Sequence, residues 1–231
     1  MTETLVVADP AEECARRLAV AVSGGAHVAL TGGDTPKRAY ELLAGMEVDW
    51  SGATLWFGDE RCVPPDDELS NYGMAKAALL DRLPSHEEGG PAVKRIRAEE
   101  GPHAGADDYE RELRATLGEE LPRLDLVLLG LGPDAHVASL FPGQATLEVH
   151  DRLVVGVEEA GHEPFVPRVS LTLPVINSAR AVVFLVSGEG KAEAVERSFR
   201  GEPSQDAPGS LVRPHSGELT LLLDEAAASR L

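Results

Sequence analysis

A histidine and an aspartate stand two residues apart, just after a strongly apolar run in the middle of the chain. Residues 129–143 read LGLGPDAHVASLFPG, with Asp134 and His136 behind two glycines. A neutral imidazole can take a proton from water near neutral pH, and a neighbouring carboxylate can orient or support it. We therefore predict that His136 is a general base and that Asp134 assists it, directly or through the backbone geometry of the turn.

The same segment allows two plainer interpretations. Residues 130–135 match the GxGxxG/A spacing of dinucleotide-binding turns, but Pro133 and Asp134 stand where a pyrophosphate needs open backbone amides. Alternatively, the glycines only turn the chain after a strand. The presence of His136 favours a catalytic turn over both interpretations.

A second pair of glycines follows another apolar stretch, in HVALTGGDTPKRAY, residues 27–40. Helix N-termini attract phosphates through their free N–H groups and the helix dipole. We predict that Gly32 and Gly33 let a phosphate approach the backbone and that Thr35 adds a hydroxyl. The alternative is an ordinary tight turn in which Thr35 caps the helix. Asp34 disfavours phosphate binding unless its carboxylate points away.

Three charged residues, Asp59, Glu60 and Arg61, come directly after an apolar strand in WFGDERCVP. They could form a solvated loop. Alternatively, they contribute to a substrate site in which Arg61 holds an oxyanion or phosphate and Glu60 fixes Arg61 by a paired hydrogen bond.

Two further cations stand beside predicted strands. Arg168 precedes VSLTL, and Lys191 opens a helix after SGEG. Lys191 could be a ligand of an anion, and a simple surface lysine is an equally good explanation of it. Neither His162 nor His215 has a metal-ligand partner at standard spacing, so no metal site is predicted.

These residues are positioned by strands and helices that alternate along the chain. Asp9 followed by Pro10 predicts the start of one helix, and Ser70 predicts the cap of another. Residues 219–229, LTLLLDEAAAS, predict a last strand and helix.

The alternation predicts an α/β fold, namely a Rossmann-like layered parallel sheet flanked by helices, in a single domain over residues 1–231. Residues 124–129, LDLVLL, are apolar on both faces, as in a strand buried within such a sheet. Parallel sheets bind ligands at the carboxyl ends of their strands, which is where His136 falls.

The composition limits the kinds of partner. With 231 residues, 43% of them apolar, the chain is long enough for one large α/β core. It has 21 Lys and Arg against 39 Asp and Glu, and a surface of net charge -18 disfavours nucleic acid. The start lacks a basic segment and a long apolar run, and the two cysteines form no CxxC motif. We expect a cytoplasmic protein, without membrane partners, that is a monomer or a weak homo-oligomer.

Several segments, in this order and spacing, resemble the 6-phosphogluconolactonases, which belong with the glucosamine-6-phosphate deaminases to one α/β superfamily. They are TGGDTP, WFGDERCVP followed by SNYGMAKAALL, GLGPDAHVASLFPG, RVSLTLPVIN and GEGKAEAV. The ASLFPG ending resembles the lactonase branch, because the deaminases carry an Asn-Glu-Pro-type continuation there. Two positions depart from the usual pattern: Ala135 stands where the family has Gly, and Asp34 where a small hydroxyl residue is common.

The resemblance implies hydrolysis of 6-phosphoglucono-1,5-lactone to 6-phosphogluconate in the oxidative pentose phosphate pathway, without metal or organic cofactor. It implies that Arg61, Arg168 and Lys191 supply positive charge to the phosphate and the reacting carbonyl. Two alternatives are a deaminase-like sugar-phosphate enzyme, with Asp59 as its base, and a non-catalytic sugar-phosphate sensor.

Overall fold

Strands and helices alternate across residues 2–118 and 121–231, which the computed structural model describes. The strands are β1 (Thr2–Val6), β2 (His27–Leu30), β3 (Thr54–Phe57), β4 (Asp59–Arg61), β5 (Ala92–Val93), β6 (Leu126–Leu129), β7 (Val154–Val157), β8 (Arg168–Leu171), β9 (Ala181–Val186) and β10 (Glu218–Leu223). The α-helices are α1 (Pro10–Ser23), α2 (Asp34–Leu43), α3 (Asn71–Ala78), α4 (Pro102–Leu117), α5 (Leu173–Ser178) and α6 (Ala192–Phe199).

A wholly parallel sheet forms the centre of the molecule. Its seven strands lie in the order β1-β10-β9-β6-β2-β3-β5. The central strand β6 runs between β9 and β2, with Val127 opposite Val182 and Ala29. All four residues of β6 are buried, as in a strand covered on both faces. The turn after β6, which carries His136, therefore opens at the middle of the sheet's carboxyl edge.

Local capping explains where two helices begin, and both predictions are confirmed. The Asp9 carboxylate accepts a hydrogen bond from the amide of Glu12 at 3.2 Å, with Pro10 at the first helical position of α1. The Ser70 hydroxyl accepts one from the amide of Gly73 at 3.0 Å. Each cap satisfies a donor that has no partner inside its helix.

Three strands do not join the parallel sheet. β4, β8 and β7 form a separate antiparallel sheet in the order β4-β8-β7. Only Gly58 separates β3 from β4, whereas a parallel return needs a crossover of a dozen or more residues. The small sheet places Arg61 directly opposite Arg168. Two segments far apart in sequence thus bring their arginines together.

The structure excludes one alternative for the start of a helix and contradicts one predicted helix. α2 begins at Asp34 with Gly33 as its N-cap, so Thr35 does not cap it. After β10, residues 225–230 form turns instead of the predicted helix. There the Asp224 carboxylate accepts hydrogen bonds from the amides of Ala227 and Gly188, at 2.7 and 3.1 Å. The later backbone hydrogen bonds, from Ser229 to Ala226 and from Leu231 to Ala228, join residues three apart, so the turn is not continued as an α-helix.

The predicted fold class, a layered parallel α/β sheet flanked by helices, is confirmed. That residues 1–231 constitute one domain stays a prediction. Within the two described ranges, no helix is both long and apolar enough to cross a bilayer.

Glu110 joins α4 to the small sheet. Its carboxylate accepts hydrogen bonds from Arg114 and Arg152, at 2.8 and 2.9 Å. It also accepts them from the amides of Leu153 and Val154, at 3.0 and 3.3 Å. Burial raises the pKa of Glu110, but these hydrogen bonds outweigh burial and hold the pKa below its ordinary value of 4.5. The ionised carboxylate therefore stabilises the folded chain.

We expect Glu110→Gln to lower the free energy of unfolding by about 1.5–3 kcal/mol at neutral pH, because an amide cannot accept all of these hydrogen bonds. Since the folded pKa lies below the unfolded one, this stabilisation is complete above pH about 4.5 and is lost as pH falls through the folded value. Urea unfolding at neutral pH and near pH 3 measures it. The exposed Glu41→Gln is the control, and a difference from wild type that does not shrink in acid would contradict the prediction.

Candidate active site

A small polar pocket of about 220 Å³ opens at the carboxyl edge of the parallel sheet. Both predicted glycine turns contribute to its wall, through Gly32 and Gly33 after β2 and through Gly130 and Gly132 after β6. Its charged or titratable lining residues are Asp59, Arg61, His136, His162, Glu163, Arg168 and Lys191. Most of the predicted site residues thus lie around one cavity.

The structure places His136 and Asp134 in direct contact. His136 Nδ1 lies 2.5 Å from Asp134 Oδ1, which also accepts a hydrogen bond from the His136 amide at 3.2 Å. Burial raises the pKa of Asp134, but its contacts with His136 outweigh burial and lower the pKa below the ordinary value. An ionised carboxylate only accepts hydrogen bonds, so Nδ1 carries the proton. Nε2 is left with a lone pair that can act as a base.

Gly132 makes this contact possible. A Cβ at that position would lie 2.0 Å from His136 Nδ1 and 2.5 Å from Asp134 Oδ1. The turn is closed by two backbone hydrogen bonds of 2.9 Å, from the amide of Gly132 to the carbonyl of His136 and from that of Ala135 to the carbonyl of Gly132. The glycine therefore makes room for the imidazole and carboxylate, which supports the catalytic interpretation of the motif over the dinucleotide one.

Ala135 occupies an unusual backbone conformation within this turn. Its φ is +71°, in the left-handed region, and its side chain is fully buried. A non-glycine residue there costs about 1–2 kcal/mol. The turn therefore forms with an alanine in place of the glycine that is usual in the resembled family, at the expense of local strain.

Arg61 and Arg168 bring two positive charges to one side of the pocket. They are opposite neighbours on β4 and β8, a pairing that destabilises a sheet unless an anion compensates it. Arg168 is only 2% exposed, and burial lowers the pKa of its guanidinium. Among the described residues, neither Nε–H has a hydrogen-bond partner, although both atoms are buried. This arrangement suits an anion with several acceptor oxygens.

The other guanidinium hydrogen bonds fix the two arginines to backbone carbonyls. Arg61 Nη1 donates to Leu69 O at 2.7 Å. Arg168 Nη2 donates to the carbonyls of His162 and Pro164, both at 3.0 Å. These partners are all backbone carbonyls, so the positive charges stay available to a ligand.

Lys191 joins the cations from the far side of β6. It ends a 3₁₀ turn, Glu189–Lys191, that follows β9. Its Nζ donates to Leu131 O at 2.7 Å, on the turn that carries His136. Burial lowers the pKa of Lys191, whereas the charge of Asp134 opposes that change. The ammonium group of Lys191 is therefore held close to the His136–Asp134 pair.

Glu60 lies outside this pocket and has a different role from the one predicted. Its carboxylate accepts hydrogen bonds from the amides of Asn71 and Tyr72 at 2.7 Å and from the Ser70 hydroxyl at 3.0 Å. It also binds the backbone amide of Arg61, at 2.7 Å, and no guanidinium hydrogen bond joins the two side chains. Glu60 therefore caps α3, whose first amides have no intrahelical partner.

Thr35 also lies away from the pocket. It lines a separate groove between the starts of α1 and α2, together with Asp34 and Arg38. Gly32 remains at the pocket, where a Cβ would lie 1.9 Å from Asn71 Oδ1. This glycine thus makes room for Asn71 in addition to any ligand.

Asp59 and Asn71 form a buried hydrogen-bonded group in the pocket wall. Asn71 Nδ2 donates to Asp59 Oδ1 at 3.2 Å, and the Ser139 hydroxyl donates to Asp59 Oδ2 at 2.7 Å. Both carboxylate oxygens of Asp59 are thus engaged. Asn71, His162 and Glu163 also line the pocket but were not among the predicted site residues, because no local motif relates them to His136.

A base held by a carboxylate, with three cations around the same small pocket, is the arrangement needed by an enzyme that acts on a small anionic substrate. The comparison with known families agrees. Residues 2–221 match the family of glucosamine-6-phosphate isomerases/6-phosphogluconolactonase, and the chain belongs to this family.

Individual relatives give the same assignment. The chain is 39% identical to the 6-phosphogluconolactonase of Homo sapiens over 216 residues, 93% of this chain and 81% of the human one. It is 40% identical to that of Nostoc sp. over 219 residues, covering 92% and 88%. The solved 6-phosphogluconolactonase from Trypanosoma cruzi is 29% identical and superposes with a TM-score of 0.86, covering 100% and 97%. The predicted family resemblance is confirmed.

Proposed function

We propose that this protein hydrolyses 6-phospho-D-glucono-1,5-lactone to 6-phospho-D-gluconate, the lactonase step of the oxidative pentose phosphate pathway. The observation that carries the proposal is the His136–Asp134 pair, which shares its pocket with three cations in a chain about 40% identical to lactonases. Hydrolysis of this lactone needs a base for water, positive charge for the developing oxyanion and a grip on the phosphate.

In the proposed mechanism, His136 Nε2 takes a proton from a water molecule as the water oxygen bonds to the lactone carbonyl carbon. The carbonyl electron pair moves onto its oxygen and gives a tetrahedral oxyanion. When the carbonyl re-forms, the bond to the ring oxygen breaks, and this oxygen receives the proton from the His136 imidazolium. Asp134 stabilises the imidazolium in between, as the 2.5 Å contact to Nδ1 allows.

The three cations are proposed to share the two anionic groups of the reacting substrate, which are the phosphate and the developing oxyanion. Arg61 and Arg168 lie opposite each other, so one phosphate can accept from both guanidinium groups. Lys191 is bonded to the turn that bears His136. Arg61 is also proposed as a catalytic residue, because its position beside Arg168 allows it to act on the phosphate, the oxyanion or both.

The environment of Asp59 favours hydrolysis over the deaminase-like alternative. A deaminase-like reaction would use Asp59 as its base, but both of its oxygens already accept hydrogen bonds. His136 Nε2, in contrast, has no hydrogen-bond partner among the residues that the structure describes.

The purified protein tests the proposal with freshly prepared lactone. Each hydrolysis produces one carboxylic acid, so titration at constant pH follows the reaction, and a parallel sample without protein gives the spontaneous rate. Ammonia release from glucosamine 6-phosphate is measured alongside. We expect accelerated lactone hydrolysis without ammonia release. Ammonia release, or a lactone rate equal to the spontaneous one, would contradict the proposal.

The mechanism uses side chains alone, so activity should survive exhaustive chelation. Across residues 2–118 and 121–231, no three His, Cys, Asp or Glu side chains are grouped so that they could hold a metal ion. The measurement is kcat before and after prolonged dialysis against a chelator. A loss that added zinc or magnesium restores would overturn this expectation.

A cytoplasmic location is also proposed. Both cysteines are free thiols, Cys14 buried and Cys62 half-buried, as is usual in reducing compartments. The expectations of a monomer or weak homo-oligomer, and of no nucleic-acid or membrane partner, stay predictions.

A further inference from the structure

We propose that His162 positions the substrate by accepting a hydrogen bond from a hydroxyl group of the sugar ring, while His136 acts at the carbonyl. The inference rests on the proposed function, since it assigns a role within the same pocket. It makes His162 a specificity-determining residue for the polyhydroxylated part of the substrate.

The two histidines face the same small cavity from different elements. His136 follows β6, whereas His162 lies in residues 158–167, which connect β7 to β8. Their ring centroids are 5.7 Å apart, with an interplanar angle of 43°. Both residues line a cavity of only about 220 Å³. A sugar that brings its carbonyl to His136 therefore has part of its ring beside His162.

The connection that carries His162 is anchored to a buried group. Arg168 Nη2 binds the carbonyls of His162 and Pro164, both at 3.0 Å. Arg168 is 2% exposed and is held in the small sheet by pairing with β4 and β7. The backbone at His162 is thus held by a buried side chain, and a residue that positions a substrate needs such support.

The hydrogen bond that His162 makes within the protein determines which kind of ligand group its other ring nitrogen can bind. Its Nδ1 lies 2.9 Å from the carbonyl oxygen of Glu163. A carbonyl only accepts, so Nδ1 carries the hydrogen, and Nε2 of the neutral ring is an acceptor. Sugar hydroxyls are donors that match it. A second proton carrier is not needed, because His136 can return its proton to the leaving ring oxygen.

Two variants of His162 distinguish the contribution of its hydrogen bond to substrate binding from that of its ring shape. His162→Phe keeps a flat ring without nitrogen, and His162→Gln keeps a polar side chain able to accept but not to titrate. His150→Gln is the matched control, because it removes an imidazole that lines a different groove. The measurements are KM and kcat for the lactone, the Kd of 6-phosphogluconate by calorimetry, and the inhibition constant of inorganic phosphate.

We expect His162→Phe to raise KM and the Kd of 6-phosphogluconate by about 2- to 10-fold, the effect of losing one neutral hydrogen bond. His162→Gln should recover most of this loss. The value of kcat and the inhibition by phosphate should stay near wild type in both variants, since phosphate meets the cations and not His162. His150→Gln should change none of these quantities.

Three results would overturn the proposal. The first is unchanged binding of 6-phosphogluconate by His162→Phe. The second is an equal weakening of phosphate inhibition, which would show a structural effect on Arg168. The third is a similar loss of kcat in both variants, which would make His162 a proton carrier. A wild-type protein that fails to hydrolyse the lactone would refute the proposed function. Calorimetry needs no turnover, so the comparison of Kd values would still test the role of His162.

Discussion

Replacing His136 with glutamine should lower kcat for lactone hydrolysis by about 10²–10⁴-fold, the usual value of general-base catalysis. Glutamine keeps the polarity and approximate size of the side chain but cannot take the proton from water. The loss should appear in kcat, because the attack by water depends on the base whereas substrate binding does not. The measurement is kcat at neutral pH after subtraction of the spontaneous rate of hydrolysis.

The interpretation depends on an intact fold, which thermal unfolding of the variant checks. His150→Gln is again the matched control, because its imidazole lies outside the pocket. A well-folded His136→Gln protein with near-wild-type kcat would remove His136 from the mechanism. The base would then be sought in Asp134, whose lowered pKa keeps its carboxylate ionised, or in Asp59.

Removing either of two cations should mainly raise KM. We expect Arg168→Ala and Lys191→Ala each to raise KM by about 10- to 100-fold, because hydrogen bonds to charged groups contribute about 1.5–3 kcal/mol. Steady-state kinetics with the lactone and competitive inhibition by inorganic phosphate measure the effect. Phosphate inhibition should weaken in parallel, since it uses the same cations.

Arg168 is buried and anchors two carbonyls, so its variant also needs a folding check. Lys191 is half-buried and gives an independent test with less structural disturbance. Arg111→Ala, on the exposed face of α4, is the control for loss of a positive charge. Wild-type KM values in both Arg168→Ala and Lys191→Ala would refute the proposal that these residues bind the phosphate.

Features set by nearby residues could be predicted from the sequence. The caps at Asp9 and Ser70 depend on amides three residues ahead, and the contact of Asp134 with His136 spans two residues. The apolar run of β6 identified a buried parallel strand and hence the location of the site. In each case, short-range geometry restricts the possible structures.

Features that join distant segments could not be predicted in the same way. Glu60 is adjacent to Arg61 in sequence, yet its carboxylate binds the start of α3, because those amides offer several donors at once. The pairing of Arg61 with Arg168 depends on the antiparallel register of β4 and β8. His162 reaches the pocket only because its connection is folded back onto Arg168. None of these contacts leaves a periodicity or spacing in the sequence.

If the substrate binds both opposed arginines of the small sheet, as proposed, it also affects the lifetime of the protein. The two guanidinium groups lie opposite each other on β4 and β8, where like charges repel. An anion that binds both relieves this repulsion and binds the folded chain alone. Such a ligand adds about 2.7 kcal/mol to folding at a hundred times its Kd. A cell rich in sugar phosphates would thus hold more of this protein in its folded form and expose less of it to proteolysis.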